Sequence, residues 1–221
     1  MIDSTNHHPD VLQLSFSLKM LGCEMGREVV LLKLQSGDLL IHSTAPFTDA
    51  DRREIESFGN PRWMMEATAF HDTYSSEASS QFFGLPYLTP NPQHGNGRQL
   101  AAPPEWSDEI ELLAFDGMPT LSEHAVYHRN SKTLILADLL FNVPESSRCT
   151  RRVLRVLSGI AEYPGQSRLL RFFIRDRKAF RDSMNRLLEW DFERIVVGHG
   201  DPIETDARAK LETVLSRHDL I

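Results

Sequence analysis

Two apolar strands that break into polar turns constrain this chain more than any other feature. One is "TLILADLLF", residues 133–141, in which Asp138 follows a run of aliphatic residues. The other is "RIVVGHGDPI", residues 194–203, in which His199 stands between Gly198 and Gly200. Short aliphatic runs bounded by turn residues read as buried strands. A third such run, "WMMEATAF", ends at His71. Each carries a metal-capable side chain out of a strand. Ligands at the ends of several strands converge on one sheet edge, where layered α/β folds place their chemistry.

The rest of the chain supplies the elements for such layers. "EVVLLKLQSGDLLIHST" reads as two strands around a tight turn at Ser36-Gly37-Asp38. "TDADRREIESFG" predicts a helix capped by Thr48 or Asp49 and ended by Gly59. "SSEASSQFFG" predicts another, with Ser75 or Ser76 near its cap. "LPYLTPNPQHGNGRQLAAPPEW" is Pro-, Gly- and Asn-rich and reads as loop, with one strand at "PYLTP". "IELLAFDG" is a strand, and "EHAVYHRNSKTLILADLLF" is strand, polar turn, strand. Val153, Leu154, Leu157 and Ile160 have helical spacing, residues 166–191 continue in helical turns, and "ETDARAKLETVLSRH" closes the chain as a helix. Hairpins early and strand–helix units late give mixed sheets and helices in layers. Element order alone leaves several layered α/β folds open.

At 221 residues with 41% hydrophobic composition, the chain is expected to form one domain, residues 1–221, with a substantial core. A net charge of -7 argues against nucleic acid as a partner. The start "MIDSTNHHPD" lacks the basic flank and apolar core of a signal peptide, and no apolar run has bilayer length. Cys23 and Cys149 have neither zinc nor redox spacing, so free thiols in a cytoplasmic protein are expected. His7, His8 and His218 lie near the termini and are expected to be solvated. The basic run around Arg168 to Arg181 reads as a solvated helix face; the other reading is a patch that attracts an anionic substrate or an acidic partner.

His71, Asp138 and His199 offer two imidazoles and a carboxylate, a donor set suited to zinc, iron or manganese. With an open position for water it makes a hydrolytic site. Singly, each has an ordinary structural reading: a hydrogen-bonded histidine, a turn-capping aspartate, a tight glycine turn.

"GDLLIHST", "ATAFHDTYSSEA", "LLAFDGMPTLSEHAVYHRNSKTLILADLLFN" and "RIVVGHGDPI" follow one another in the order of the motifs of the metallo-β-lactamase fold superfamily, which the sequence resembles over nearly its whole length. The resemblance implies a four-layer αββα sandwich with the metal site at one edge between the two sheets. Asp138 is similar to that family's metal-bridging aspartate and His199 to its last histidine. The departures are as informative. In the family's H-x-H-x-D-H motif His71 keeps the first place, while Thr73, Ser75 and Ser76 stand where the second His, the Asp and the third His belong. "DGMPT" puts Met118 and Pro119 where a histidine is expected, and His42 replaces the aspartate of an "LIDTG" element. The resemblance thus implies a reduced, mononuclear site on His71, Asp138 and His199. Asp138 or Glu123 would orient the water, and Glu123, His124 or His42 are spare ligands. A small-molecule substrate, an ester, thioester, amide or phosphoester, would follow. The alternative is a non-catalytic descendant that lost its metals and binds a ligand or protein partner through the same cleft. Serine chemistry at Ser75 or Ser76 is not supported, because no nucleophile-elbow pattern surrounds them.

Overall fold

The computed structural model describes residues 3–20, 23–92, 97–106, 108–143 and 148–221. The chain begins with strands β1 (Asp3–His8), β2 (Val11–Phe16), β3 (Lys19–Met20), β4 (Cys23–Glu24), β5 (Arg27–Lys33) and β6 (Asp38–His42). Helix α1 (Asp49–Phe58) and strand β7 (Asn60–Met65) follow, then α2 (Ser75–Gln81), β8 (Tyr87–Thr89) and β9 (Gly97–Gln99). The second half holds β10 (Ile110–Ala114), β11 (His124–His128), β12 (Thr133–Leu136), α3 (Arg148–Val153), α4 (Arg168–Phe173), α5 (Arg177–Leu187), β13 (Arg194–Val197) and α6 (Ala207–Arg217). Among the described residues no helix is long and apolar enough to cross a membrane.

Two sheets stack face to face. The first runs β1-β2-β5-β6-β7-β8-β9 and the second β10-β11-β12-β13. The first is antiparallel up to the β5–β6 hairpin and parallel from β6 onward. The second is antiparallel except at its last pair, where β12 and β13 run parallel. Strand alternation sorts the side chains into three layers of core. Val30, Leu32, Leu40, Met65, Val126, Ile135 and Val196 meet between the sheets. Their neighbours Val29, Leu31, Leu39, Ile41 and Met64 face the other way, onto Ile55 of α1 and Ala78 of α2. On the far side Leu134, Leu136, Ile195 and Val197 pack against Phe180 and Met184 of α5 and Leu211 and Leu215 of α6. The result is a four-layer αββα sandwich, as expected.

Local chemistry accounts for most element ends. Thr48 caps α1 in a reciprocal box: its hydroxyl accepts from the Asp51 N–H (3.3 Å) and its own N–H donates to Asp51 Oδ2 (2.7 Å). Ser167 and Asp176 cap α4 and α5 by accepting from the N–H groups of Leu170 and Ala179. Ser75 opens α2 beside its cap Tyr74, which makes no side-chain cap bond because a 3₁₀ turn at Asp72–Tyr74 leads straight into the helix. Three expectations are corrected. β12 stops at Leu136, so Ala137 to Leu140 leave the strand in a bend, and Phe141 makes only an isolated bridge to Gly165. His7 is not solvated: it belongs to β1, its side chain is 1% exposed, and its ring bonds Glu204 and Gln13 at 2.7 Å each. Leu154 and Ile160 are buried, but α3 gives way to a π-turn at Leu154–Ser158 and Ile160 lies beyond it, so the helical spacing does not carry through to Ile160. The side chains of Cys23, Cys149, Val153 and Leu157 lie outside the described residues.

Candidate metal centre

Parallel pairing sets the second sheet's contribution. Leu136 of β12 lies beside Val197 of β13, so the chains leave the sheet together, and Asp138 and His199 each follow two residues later. The Gly198 N–H donates to the Leu136 carbonyl (2.8 Å) and the Asn142 N–H to that of His199 (3.2 Å). This close approach requires the flanking glycines. A Cβ on Gly198 would lie 2.9 Å from the Ala137 oxygen. Gly200 has φ +97°, and its Cβ would lie 2.1 Å from the Asn142 oxygen. His71 comes from the first sheet at the end of a segment that leaves β7. That segment is held to the second sheet by Ala69 N–H to the Leu121 carbonyl (2.9 Å) and His124 N–H to the Ala67 carbonyl (2.7 Å).

The three side chains converge. His71 Nε2 is 3.2 Å and His199 Nε2 3.6 Å from Asp138 Oδ1. One donor atom of each lies within 4.8 Å of the others. Donors in a tetrahedral zinc shell of about 2.0–2.1 Å radius are roughly 3.4 Å apart, so small rotamer adjustments suffice to close the set around one ion. The orientation also fits. His199 Nδ1 donates to the Gly26 carbonyl at 2.7 Å, so Nε2 is the ring nitrogen turned to Asp138 and left for a metal. Phe141 stacks on the His199 ring at 5.2 Å and holds its plane. His71 and His199 are buried, while the Asp138 side chain keeps 17% exposure toward a cavity. With three protein donors, the set leaves a coordination position open, as catalytic rather than structural sites do.

Electrostatics support the same arrangement. Burial works against ionisation of Asp138, but the charge of His71 and the bonds and charge of His199 outweigh it and hold the carboxyl far below its usual range. Glu123 stands behind Asp138. Its Oε1 accepts the N–H groups of Ala137, Asp138 and Leu139 at 3.1, 3.0 and 2.9 Å, which fixes the turn that carries Asp138. Burial, with the Asp138 charge second, raises Glu123 well above the usual carboxylate range despite those three bonds. Its other oxygen is buried without a partner. Glu123 does not line the cavity that His71, Asp138 and His199 share.

The other sequence candidates stay outside the cluster. His124 bonds the Ser122 carbonyl and faces a different surface groove. Met118 is buried in the core behind the second sheet, so its position is filled by packing. Thr73 is exposed and lines the cavity mouth, and Ser76 is exposed on α2. His42 is buried with both ring nitrogens lacking a partner; burial, with the charges of His71 and Arg27, lowers it to about 3. Two residues that sequence reasoning passed over hold His71 in place. Arg27 Nη2 donates to the His71 carbonyl (2.7 Å) and to Glu66 Oε1 (2.9 Å), and Glu66 also accepts from the N–H and hydroxyl of Thr44. Glu66 Oε2 is 4.0 Å from His71 Nδ1. The signal was present: Glu66 is a lone acid inside the apolar run "WMMEATAF".

The cavity at the centre has a volume of about 230 Å³. His71, Asp138 and His199 lie at one end, and Met25, Phe70, Phe141, Leu170 and Phe173 form much of the wall.

No protein-family model matches the sequence, and no curated protein sequence does. Solved structures do match. A metallo-β-lactamase from Pontibacter korlensis aligns with a TM-score of 0.63 at 11% identity, over 98% of each chain. A metallo-β-lactamase from Erythrobacter litoralis in its mono-zinc form aligns at 0.65 and 11% identity, over 100% of this chain and 97% of that one. The metallo-β-lactamase FIM-1 from Pseudomonas aeruginosa, also in a mono-zinc form, aligns at 0.64 and 12%, over 100% and 96%. Two stacked sheets, outer helices and end-to-end coverage agree: this chain has the metallo-β-lactamase fold.

Proposed function

We propose that the chain is a metal-dependent hydrolase whose single ion is held by His71, Asp138 and His199, with zinc the first candidate and iron or manganese the others. The observation that carries this reading is the convergence of the three donor atoms within 4.8 Å. The mono-zinc forms among solved structures of the same fold add support. A bound ion would polarise a carbonyl or phosphoryl oxygen and acidify water. The chain's own residues supply the rest. His199 presents Nε2 because Gly26 takes the proton on Nδ1. Asp138 turns Oδ1 to the two histidines and orients the attacking water through its other oxygen. Glu123 acts one step back, as the positioning residue of the Asp138 turn. The apolar cavity wall excludes bulk water and binds a small-molecule substrate with an ester, thioester, amide or phosphoester group.

Metal content of tag-free protein tests this reading, with wild type and His199→Ala measured side by side by plasma mass spectrometry. About one equivalent of zinc, iron or manganese in wild type, lost in the variant, is the expected result. Wild type that takes up no metal even after incubation with added ions would overturn it and leave a ligand-binding protein that uses the same cleft.

A further inference from the structure

The cavity has a marked division of labour. Its polar end is His71, Asp138 and His199, and Leu18, Met25, Phe70, Phe141, Leu170 and Phe173 form most of the rest. Thr73 and Ser158 add neutral hydroxyls, and the wall's one cation and Ser167 are already committed. Arg27 gives its Nε to the Thr44 carbonyl and its Nη2 to His71 and Glu66, and its charge is matched by the buried Glu66 carboxylate. The Ser167 hydroxyl caps α4. The described wall therefore offers a charged tail no unpaired opposite charge, and burying a charge there without one is costly. At the mouth, Phe70 is 46% and Leu169 58% exposed, large apolar groups left in water beside the opening. Phe70 is edge-on to Phe173 at 5.3 Å, so mouth and wall form one apolar surface.

We infer that the site takes a medium-chain acyl ester or thioester, with an uncharged apolar chain in this wall and its carbonyl at the polar end. The inference rests on the hydrolase reading for the position of the carbonyl. Size sets the chain length. A dry apolar cavity of about 150 Å³ takes up benzene, so 230 Å³ corresponds to roughly nine heavy atoms, an octanoyl group. Longer chains run out over Phe70 and Leu169. Hydrolysis adds the water oxygen to the acyl carbon and breaks the C–O or C–S bond. The alcohol or thiol leaves with one of the water's protons, and the other is released as the fatty acid ionises. Octanoate is then a product and a binding probe.

Calorimetric titration with butanoate, hexanoate and octanoate tests the chain length, on zinc-incubated and on chelator-stripped protein whose metal content is measured in parallel. Affinity should rise about fourfold per added CH₂, about 200-fold from butanoate to octanoate. Octanedioate, with a charged tail, should bind at least about tenfold more weakly than octanoate. Phe70→Ser removes part of the apolar wall and mouth and should lower the affinity gained per added CH₂. A series flat with chain length in both protein forms overturns the inference, as does octanedioate binding as tightly as octanoate. A flat series on zinc-loaded protein leaves the metal reading intact. A steep series on protein that takes up no zinc keeps the apolar-chain site and removes the hydrolase.

Discussion

The two sheets contribute to the candidate centre in different ways. The second sheet gives Asp138 and His199 from neighbouring parallel strands, two residues beyond a paired register, with backbone bonds and two close-fitting glycines to hold them. Its support is short-range and mostly main chain. The first sheet gives only His71, six residues past the end of β7, and holds it through a buried ionic cluster of Arg27 and Glu66. That support is long-range and depends on side chains. The pair fixed by strand register depends on its glycines and on the Glu123 clamp, whereas the ligand fixed by a buried ion pair depends on both of that pair's partners. This is also where the departures from the superfamily motif fall: Thr73, Ser75 and Ser76 all lie just past His71.

Arg27→Met should break this contrast most strongly. It leaves Glu66 buried and uncompensated, at about 3–5 kcal/mol in chemical denaturation, and it frees the carbonyl of His71. Replacing both partners, Arg27→Met with Glu66→Leu, should recover much of that loss, and a double variant as unstable as the single would show that the pair is not the support. Acid supplies a probe remote from the centre. His128 sits at the end of β11 opposite Glu123, and burial, against the Asp10 charge, lowers it to about 4 from 6.5. Between those values the unfolded chain binds more protons than the folded one. Stability from this group is therefore complete above pH 6.5 and lost as pH falls to 4, by about 3 kcal/mol. Denaturation midpoints across that range measure it, and His128→Asn should remove its share of the slope, leaving that of the buried His42, without changing metal content.

Glu123→Ala tests the second sheet's half. Three N–H groups lose their acceptor, at about 2–3 kcal/mol, and metal affinity should fall about 10–100-fold through the loosened Asp138 turn. Glu123→Gln keeps an acceptor oxygen and should hold both close to wild type. A Gln variant as impaired as Ala would argue that the acid itself has a chemical part. Gly200→Ala should cost more than the about 1–3 kcal/mol of left-handed backbone alone, because its Cβ would meet the Asn142 oxygen at 2.1 Å, and it is read as a lowered melting temperature with a weaker metal site.

Much of the layered fold was legible because it depends on local patterns. Continuous aliphatic runs in "EVVLLK" and "RIVV" mark strands buried on both faces, the Thr48 box starts α1, and the glycines beside His199 mark a turn. His71, Asp138 and His199 could be singled out for the same reason: each is a polar residue where an apolar run ends. Their supports could not. Glu123 is a lone acid in a loop until Ala137, Asp138 and Leu139 point their N–H groups at it. His7 is a residue near the chain start until Gln13 and Glu204 close on it.

By itself, then, the sequence determined the elements, the faces they bury and the three donors that leave the strand ends, because each depends on neighbours a few residues away. Only the tertiary structure decided that Arg27 and Glu66 hold His71, that Glu123 turns its oxygen to the backbone instead of the cavity, and that the space beside the donors is apolar. Those outcomes depend on groups beyond the reach of local pattern, 44 residues for Arg27 and His71 and 15 for Glu123 and Asp138, and burial and charge pairing between such groups are set only when the fold closes.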